Sequence, residues 1–156
     1  MIVKKPVSIY TDGACSPNPG PGGWACLLKY GKQEKELTGF EEKTTNNRME
    51  LTAAIQAFKT LNMPCTVDIY TDSQYLKRGI TEWLPAWRQR NWKRKKGNLA
   101  NVDLWKSLDS EISRHEVRWH WVRGHAGNPD NIRVDKLANQ AINTGKKTRY
   151  FKKSSG

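Results

Sequence analysis

Apolar and polar positions alternate from Val7 towards Asp12, and this period of two predicts a strand, while Gly23–Lys29 and Glu34–Phe40, bounded by turn formers, are two further strand candidates. The turn-forming stretch Pro17-Asn-Pro-Gly-Pro-Gly-Gly23 and the pair Tyr30-Gly31 separate them, which suits an antiparallel meander. After Asn47 the period changes. Arg48–Leu61 is rich in strong helix formers, carries Ala53, Ala54, Ala57 and Leu61 on one stripe, and stops before Asn62 and Pro64. A β-branched run from Val67 predicts a fourth strand. Short helices near Tyr75–Gly79 and Thr81–Asn91, a helix over Val102–Arg114 and a strand over Glu116–Val122 follow. Asn128–Ile142 reads as the last helix, with Val134, Leu137, Ala138, Ala141 and Ile142 as its apolar stripe. Strand-helix-strand order implies right-handed parallel crossovers. The expected architecture is one α/β domain over residues 1–145, with a five-stranded mixed sheet and helices on both faces. Residues 146–156 form a basic segment without helical periodicity and are expected to be a mobile tail.

Chemistry enters with a repeat. Ile-Tyr-Thr-Asp occurs at Ile9–Asp12 and again at Ile69–Asp72. Alternation sets Ile9 and Thr11 on one face and Tyr10 and Asp12 on the other, and the second copy has the same parity. If the two strands are parallel neighbours, about 4.8 Å apart, both carboxylates meet at the carboxyl edge of the sheet, where open α/β folds place ligands. Like charges that close require a cation. Taken singly, each aspartate also fits local chemistry, as half of an Asp-Gly turn or as a helix N-cap. Glu50 lies on the apolar stripe of its helix, and a buried carboxylate needs a metal, a cationic partner or a proton. It also fits a capping box with Asn47 as N-cap. Asp135 sits on the border of the last helix's stripe, where it can reach a cleft; alone it would equally suit a solvated flank beside Arg133 and Lys136.

Thr11-Asp12-Gly13-Ala14, Thr45-Asn-Asn-Arg-Met-Glu-Leu51, Thr71-Asp-Ser-Gln-Tyr75 and Gly124-His-Ala-Gly127 through Asp135 stand in that order. Together they resemble the motifs of bacterial type I ribonuclease H, over about Val7 to Ile142. The resemblance implies a ribonuclease H-like fold and endonucleolytic hydrolysis of the RNA strand of an RNA–DNA hybrid, leaving 5′-phosphate and 3′-hydroxyl ends. It implies that Asp12, Glu50, Asp72 and Asp135 bind metal, two Mg²⁺ per active site in the substrate complex with Mn²⁺ able to substitute, and that His125 is a mobile aid to water activation or product release. Oxygen-only ligands favour such hard cations. Asn18, Asn46 and Gln74 match positions that contact the hybrid. Their amides carry both donors and acceptors for a 2′-hydroxyl. Thr45, with Asn18 and Arg48 nearby in the motif, is a candidate contact for a DNA-strand phosphate, and Arg48 is counted with the substrate-binding residues.

Composition narrows the partner. The 156 residues hold 27 Lys+Arg against 15 Asp+Glu, a net +12 with a pI near 9.8, which points to a polyanion. A membrane is not favoured: there is no long apolar stretch, and Met1-Ile-Val-Lys-Lys-Pro6 lacks a signal-peptide core. The expectation is a cytoplasmic monomer. Cys15, Cys26 and Cys65 have no disulfide or zinc spacing and read as small buried thiols. Trp83, Trp87 and Trp92 interleave with Arg88, Arg90, Lys93, Arg94, Lys95 and Lys96, with no acid from Arg88 to Lys96. Such a segment can neutralise phosphates and stack on sugars or bases. Trp83 and Trp87 at i, i+4 spacing equally suit a core, and a basic run a solvated face. Two other classes share parts of this pattern. A non-catalytic nucleic-acid-binding module gives no reason for Glu50 to face the core. A DNA-processing nuclease or integrase of similar fold does not predict the Thr-Asn-Asn and Ser-Gln surroundings.

Overall fold

A computed structural model describes residues 5–93, 100–123 and 128–155, with side chains at 6–93, 100–123 and 128–147. Strands β1 (Lys5–Cys15), β2 (Gly20–Tyr30) and β3 (Gln33–Thr44) form the antiparallel meander. Helix α1 (Asn46–Thr60) crosses over to β4 (Cys65–Thr71), which pairs parallel to β1 with Ile9 opposite Ile69 and Tyr10 opposite Tyr70. Helix α2 (Gln74–Arg78), a π-helical turn (Gly79–Trp83), α3 (Leu84–Gln89) and α4 (Val102–Ile112) lead to β5 (Glu116–Trp121), parallel to β4. The sheet order is β3-β2-β1-β4-β5, and α5 (Pro129–Ser155) follows. The five-stranded mixed α/β sheet is as the chain's periodicities predict.

One core joins Ile9, Val67 and Ile69 of the sheet to Leu51 and Phe58 of α1 and to Trp105 and Leu108 of α4. On the other face Val134 and Ala138 of α5 pack against Ala25 and Leu27 of β2. Two glycines set how closely the helices approach. A Cβ on Gly13 would collide with the backbone of Glu50, and one on Gly23 would collide with the Ala138 carbonyl oxygen. These strand glycines mark close backbone approach; through them α1 sits low on β1, the strand that carries Asp12, and α5 low on its neighbour β2.

Several boundaries differ from the sequence expectation. Strand β1 does not stop at Asp12: Gly13, Ala14 and Cys15 stay in register with Trp24, Gly23 and Gly22. Asp12-Gly13 is therefore strand interior and not a turn, because β2 supplies partners for three more residues. The N-cap of α1 is Thr45, whose Oγ1 accepts from the Arg48 nitrogen at 3.2 Å. Asn47 is already helical, and Glu50 lies beyond the position that a capping box requires. The helix expected over Thr81–Asn91 opens instead with the π-helical turn, where Gly79 packs so tightly that an added Cβ would enter the Trp105 ring. Helix α5 does not end near Ile142; its backbone runs through Gly145 to Ser155, so residue 145 is no break in secondary structure. Gly145 sits against the Phe40 ring, and Lys146 Nζ donates to the Ser16 carbonyl at 3.2 Å, contacts that continue the docking past the apolar stripe. Cys26 and Cys65 are buried as expected, but Cys15 is only half-buried, near the strand end that leads into the exposed 16–19 turn.

Candidate active site

Three elements deliver three carboxylates to one point. Asp12 comes from β1, two residues past the Tyr10–Tyr70 pair; Asp72 directly follows β4; Glu50 descends from α1 through the space left by Gly13. One oxygen from each lies within 4.8 Å of the others. Asp12 and Glu50 are buried, at 7% and 5% exposure, while Asp72 is half-buried and opens the site to solvent. Asp135, half-buried on the first turns of α5, comes within hydrogen-bond reach of Asp12. Along the strands from the carboxylates, the rings of Tyr10, Tyr70 and His120 stack across β1, β4 and β5, with centroids 4.8 and 4.6 Å apart. The sequence gives no sign of this row, since cross-strand neighbours become visible only with the register.

Electrostatics follow from this crowding. Burial, then the charge of Asp72, then a hydrogen bond and the charge of Asp135 push Asp12 up to about 8, with the Gly13 amide opposing. Burial, followed by Asp12 and Asp72, holds Glu50 well above the ordinary carboxylate range. Glu50 Oε2 is buried without a hydrogen-bond partner. A carboxylate oxygen buried beside two more acids lacks what a cation supplies. The all-oxygen donor set suits Mg²⁺ or Mn²⁺, so the residues present fit the divalent metal that the motifs imply.

The expected substrate residues divide by environment. Asn18 Oδ1 accepts from the Asn46 nitrogen at 3.1 Å, which joins the 16–20 turn to the start of α1 at the same sheet edge as Asp12. Thr45 caps α1 beside them. Gln74 opens α2 and is exposed, and Arg90 and Lys93 are exposed. Arg48 is not free: its guanidinium makes paired bonds to Asp103 at 3.1 and 2.9 Å and a third to Asn101 at 3.2 Å. Arg88 is likewise engaged with Asp109 of α4. Trp83 is half-buried among Tyr75, Trp87 and Trp105, so much of its ring belongs to an aromatic cluster. His125, Arg94, Lys95 and Lys96 lie outside the described residues.

Asn101 belongs to none of the sequence motifs. It adopts a left-handed conformation at φ +58 ahead of α4, donates to the Tyr75 hydroxyl at 2.9 Å and accepts from Arg48. Trp105 Nε1 donates to the same hydroxyl at 3.0 Å. The signal available was an Asn just before a predicted helix, a residue type that tolerates positive φ.

Known proteins match this chain along most of its length. The family model described as RNase H matches residues 4–143. Ribonuclease H of Bradyrhizobium diazoefficiens is 58% identical over 137 residues, covering 87% of this chain and 89% of that protein. Among solved structures, LC9-RNase H1, described as a type 1 RNase H with the type 2 active-site motif, superposes with a TM-score of 0.83 at 34% identity, over 92% of this chain and 75% of that one. LC11-RNase H1, solved in complex with an RNA/DNA hybrid, shares the fold at a TM-score of 0.68 and 21% identity, over 89% of this chain and 98% of that one.

Proposed function

Since the chain belongs to the RNase H family and is an endoribonuclease acting on the RNA strand of RNA–DNA hybrids, we propose that Asp12, Glu50, Asp72 and Asp135 form its metal-binding catalytic centre. The carrying observation is the buried meeting of three carboxylate oxygens within 4.8 Å, beside a Glu50 oxygen that has no partner. Held by these four carboxylates, Mg²⁺, two per site with Mn²⁺ as a substitute, would supply Lewis-acid activation of water and neutralise charge on the leaving 3′ oxygen. The protein's own part is placement. Asp12 and Asp72 are fixed by adjacent parallel strands and Glu50 by the close seat of α1. Asp135 enters from α5 on the opposite face and is half-buried, where it can orient water. No side chain acts as nucleophile, and the products carry 5′-phosphate and 3′-hydroxyl ends. His125, between β5 and α5 in sequence, is assigned to water activation or product release.

The substrate assignment rests on the Asn18–Asn46 turn and exposed Gln74, amides bordering the carboxylates that can exchange hydrogen bonds with a 2′-hydroxyl. Thr45 is assigned to a DNA-strand phosphate with Arg48 as its brace, and Trp83 to the wall of that strand's channel. Arg90, Lys93, Arg94, Lys95 and Lys96 are assigned to phosphates, with Arg88 secondary. No described helix is long and apolar enough to cross a membrane; the enzyme is assigned to the cytoplasm as a monomer. A panel of hybrid, duplex DNA, duplex RNA and single strands, with Mg²⁺ or excess EDTA, tests these assignments. Hybrid RNA alone should be cut, and only with metal. Undiminished cleavage in EDTA would remove the metal assignment, and preference for duplex DNA would favour a DNA-processing nuclease of the same fold.

A further inference from the structure

Arg78 belongs to none of the motifs, yet its setting is built. Helix α2 opens directly after Asp72 and Ser73, and Gln74 and Arg78, four residues apart, share its exposed outward face. The Arg78 guanidinium lies over the Trp83 ring, 5.1 Å from its centroid. That ring is fixed from other sides by Tyr75, Trp87 and Trp105, at centroid distances of 5.5, 6.0 and 6.4 Å. The charged end remains open to solvent: the Arg78 side chain is 63% exposed, and the carboxylate beside it, Glu82 at 3.5 Å, is itself 61% exposed.

A planar guanidinium resting on an aromatic face keeps its N–H fork directed outward, an arrangement that lysine cannot reproduce. An exposed i, i+4 ion pair is weak, so a dense anion can displace Glu82. The rise from Gln74 to Arg78 is about 6 Å, roughly two steps of a nucleic-acid strand at about 3.4 Å per step.

We propose that Arg78, held over the Trp83 ring, is a phosphate clamp for the hybrid about two nucleotides from the strand position read by Gln74, with Glu82 as the carboxylate that holds the guanidinium until substrate displaces it. The clamp rests on the hybrid-cleaving function above. It extends the substrate surface from the active-site edge along α2, on the route to the basic segment after α3.

Steady-state kinetics of full-length Arg78→Gln, Arg78→Lys and Glu82→Gln on a hybrid, at several salt concentrations, tests the clamp. Arg78→Gln should raise KM roughly fivefold at low salt with kcat within about twofold, and flatten log KM against log salt by up to about 0.9. Arg78→Lys should keep the salt slope but recover only part of KM, since charge survives and the planar fork does not. Glu82→Gln should lower KM about twofold by removing the competitor. The parent's KM and slope in Arg78→Gln would overturn the clamp. So would a Glu82→Gln variant that raises KM in step with Arg78→Gln, because the pair would then only brace the π-helical turn. A parent enzyme that leaves hybrid uncut would instead strike the underlying assignment, a result distinct from either.

Discussion

At the scale of single residues, the site is organised by charge that the metal-free fold accommodates poorly. Asp12 has a folded pKa of about 8 against an ordinary 3.8, caused first by burial and then by Asp72. The sign follows from proton linkage: the folded chain holds a proton that the unfolded chain has released, so this contribution is complete below about 3.8 and is lost as pH rises through about 8. In chelator the melting temperature should therefore fall from pH 5 to pH 9. Asp12→Asn should abolish turnover yet melt higher than the parent at pH 9, and the difference should shrink at pH 5, where the parent's Asp12 is already neutral. Calorimetry of both proteins checks this. A lower melting temperature for the variant at pH 9 would make Asp12 chiefly a structural residue. Added Mg²⁺ should flatten the parent's pH dependence, since a bound cation offsets the repulsion that protonation otherwise relieves.

At the scale of elements, function depends on how closely α1 sits on β1. The Gly13 position leaves no room for a methyl group, with the Glu50 Cα at 2.9 Å and the Met49 carbonyl carbon at 2.5 Å from an added Cβ. Gly13→Ala should lift α1 from the strand, destabilise the fold by about 2–3 kcal/mol as overpacking does, and weaken Mg²⁺ binding by withdrawing Glu50. Denaturant melts together with metal titration followed by calorimetry measure both, and parental metal affinity in a destabilised variant would show that the helix repacks without moving Glu50. The stacked Tyr10–Tyr70–His120 row ties β1, β4 and β5 at one register, which keeps Asp12 and Asp72 level. The Arg48–Asp103 and Arg88–Asp109 pairs connect α1 and α3 to α4. These two positive charges thus brace the frame, and the exposed Arg90 and Lys93 lie farther along the chain.

At the scale of the whole molecule, a net charge of +12 coexists with a site that concentrates carboxylates. The basic surface attracts the hybrid at long range, while a metal held by the acidic centre would make the final approach of a phosphate favourable. Replacing Arg90, Lys93, Arg94, Lys95 and Lys96 with Gln should raise KM far more than it lowers kcat, because these charges bind substrate and transition state almost equally. The slope of log Kd against log salt, measured for hybrid in an Asp12→Asn background, should flatten by up to about 0.9 for each phosphate left without its cation. Arg88→Gln alone should change the slope least, since its guanidinium is already held by Asp109. An unchanged slope in the five-fold variant would make the run a solubility feature and move the grip to the basic end of α5.

The sequence by itself determined the strand and helix periods, the doubled Ile-Tyr-Thr-Asp strand ends and the inward face of Glu50, because these are local properties of alternation and helical repeat. It also carried the ordered motifs that identify the family. Only the tertiary structure decided that Asp12 lies inside β1 and not at a turn, since that depends on whether β2 has partners to offer. The same holds for Arg48 and Arg88, whose acids stand 55 and 21 residues away along the chain, and for the Tyr10–Tyr70–His120 stack, which exists only once three strands share a register. The reach of α5 past Ile142 escaped the periodicity for a similar reason. Its contacts there are Gly145 against Phe40 and Lys146 against Ser16, neither of them an apolar side chain on the helix that a repeat would reveal.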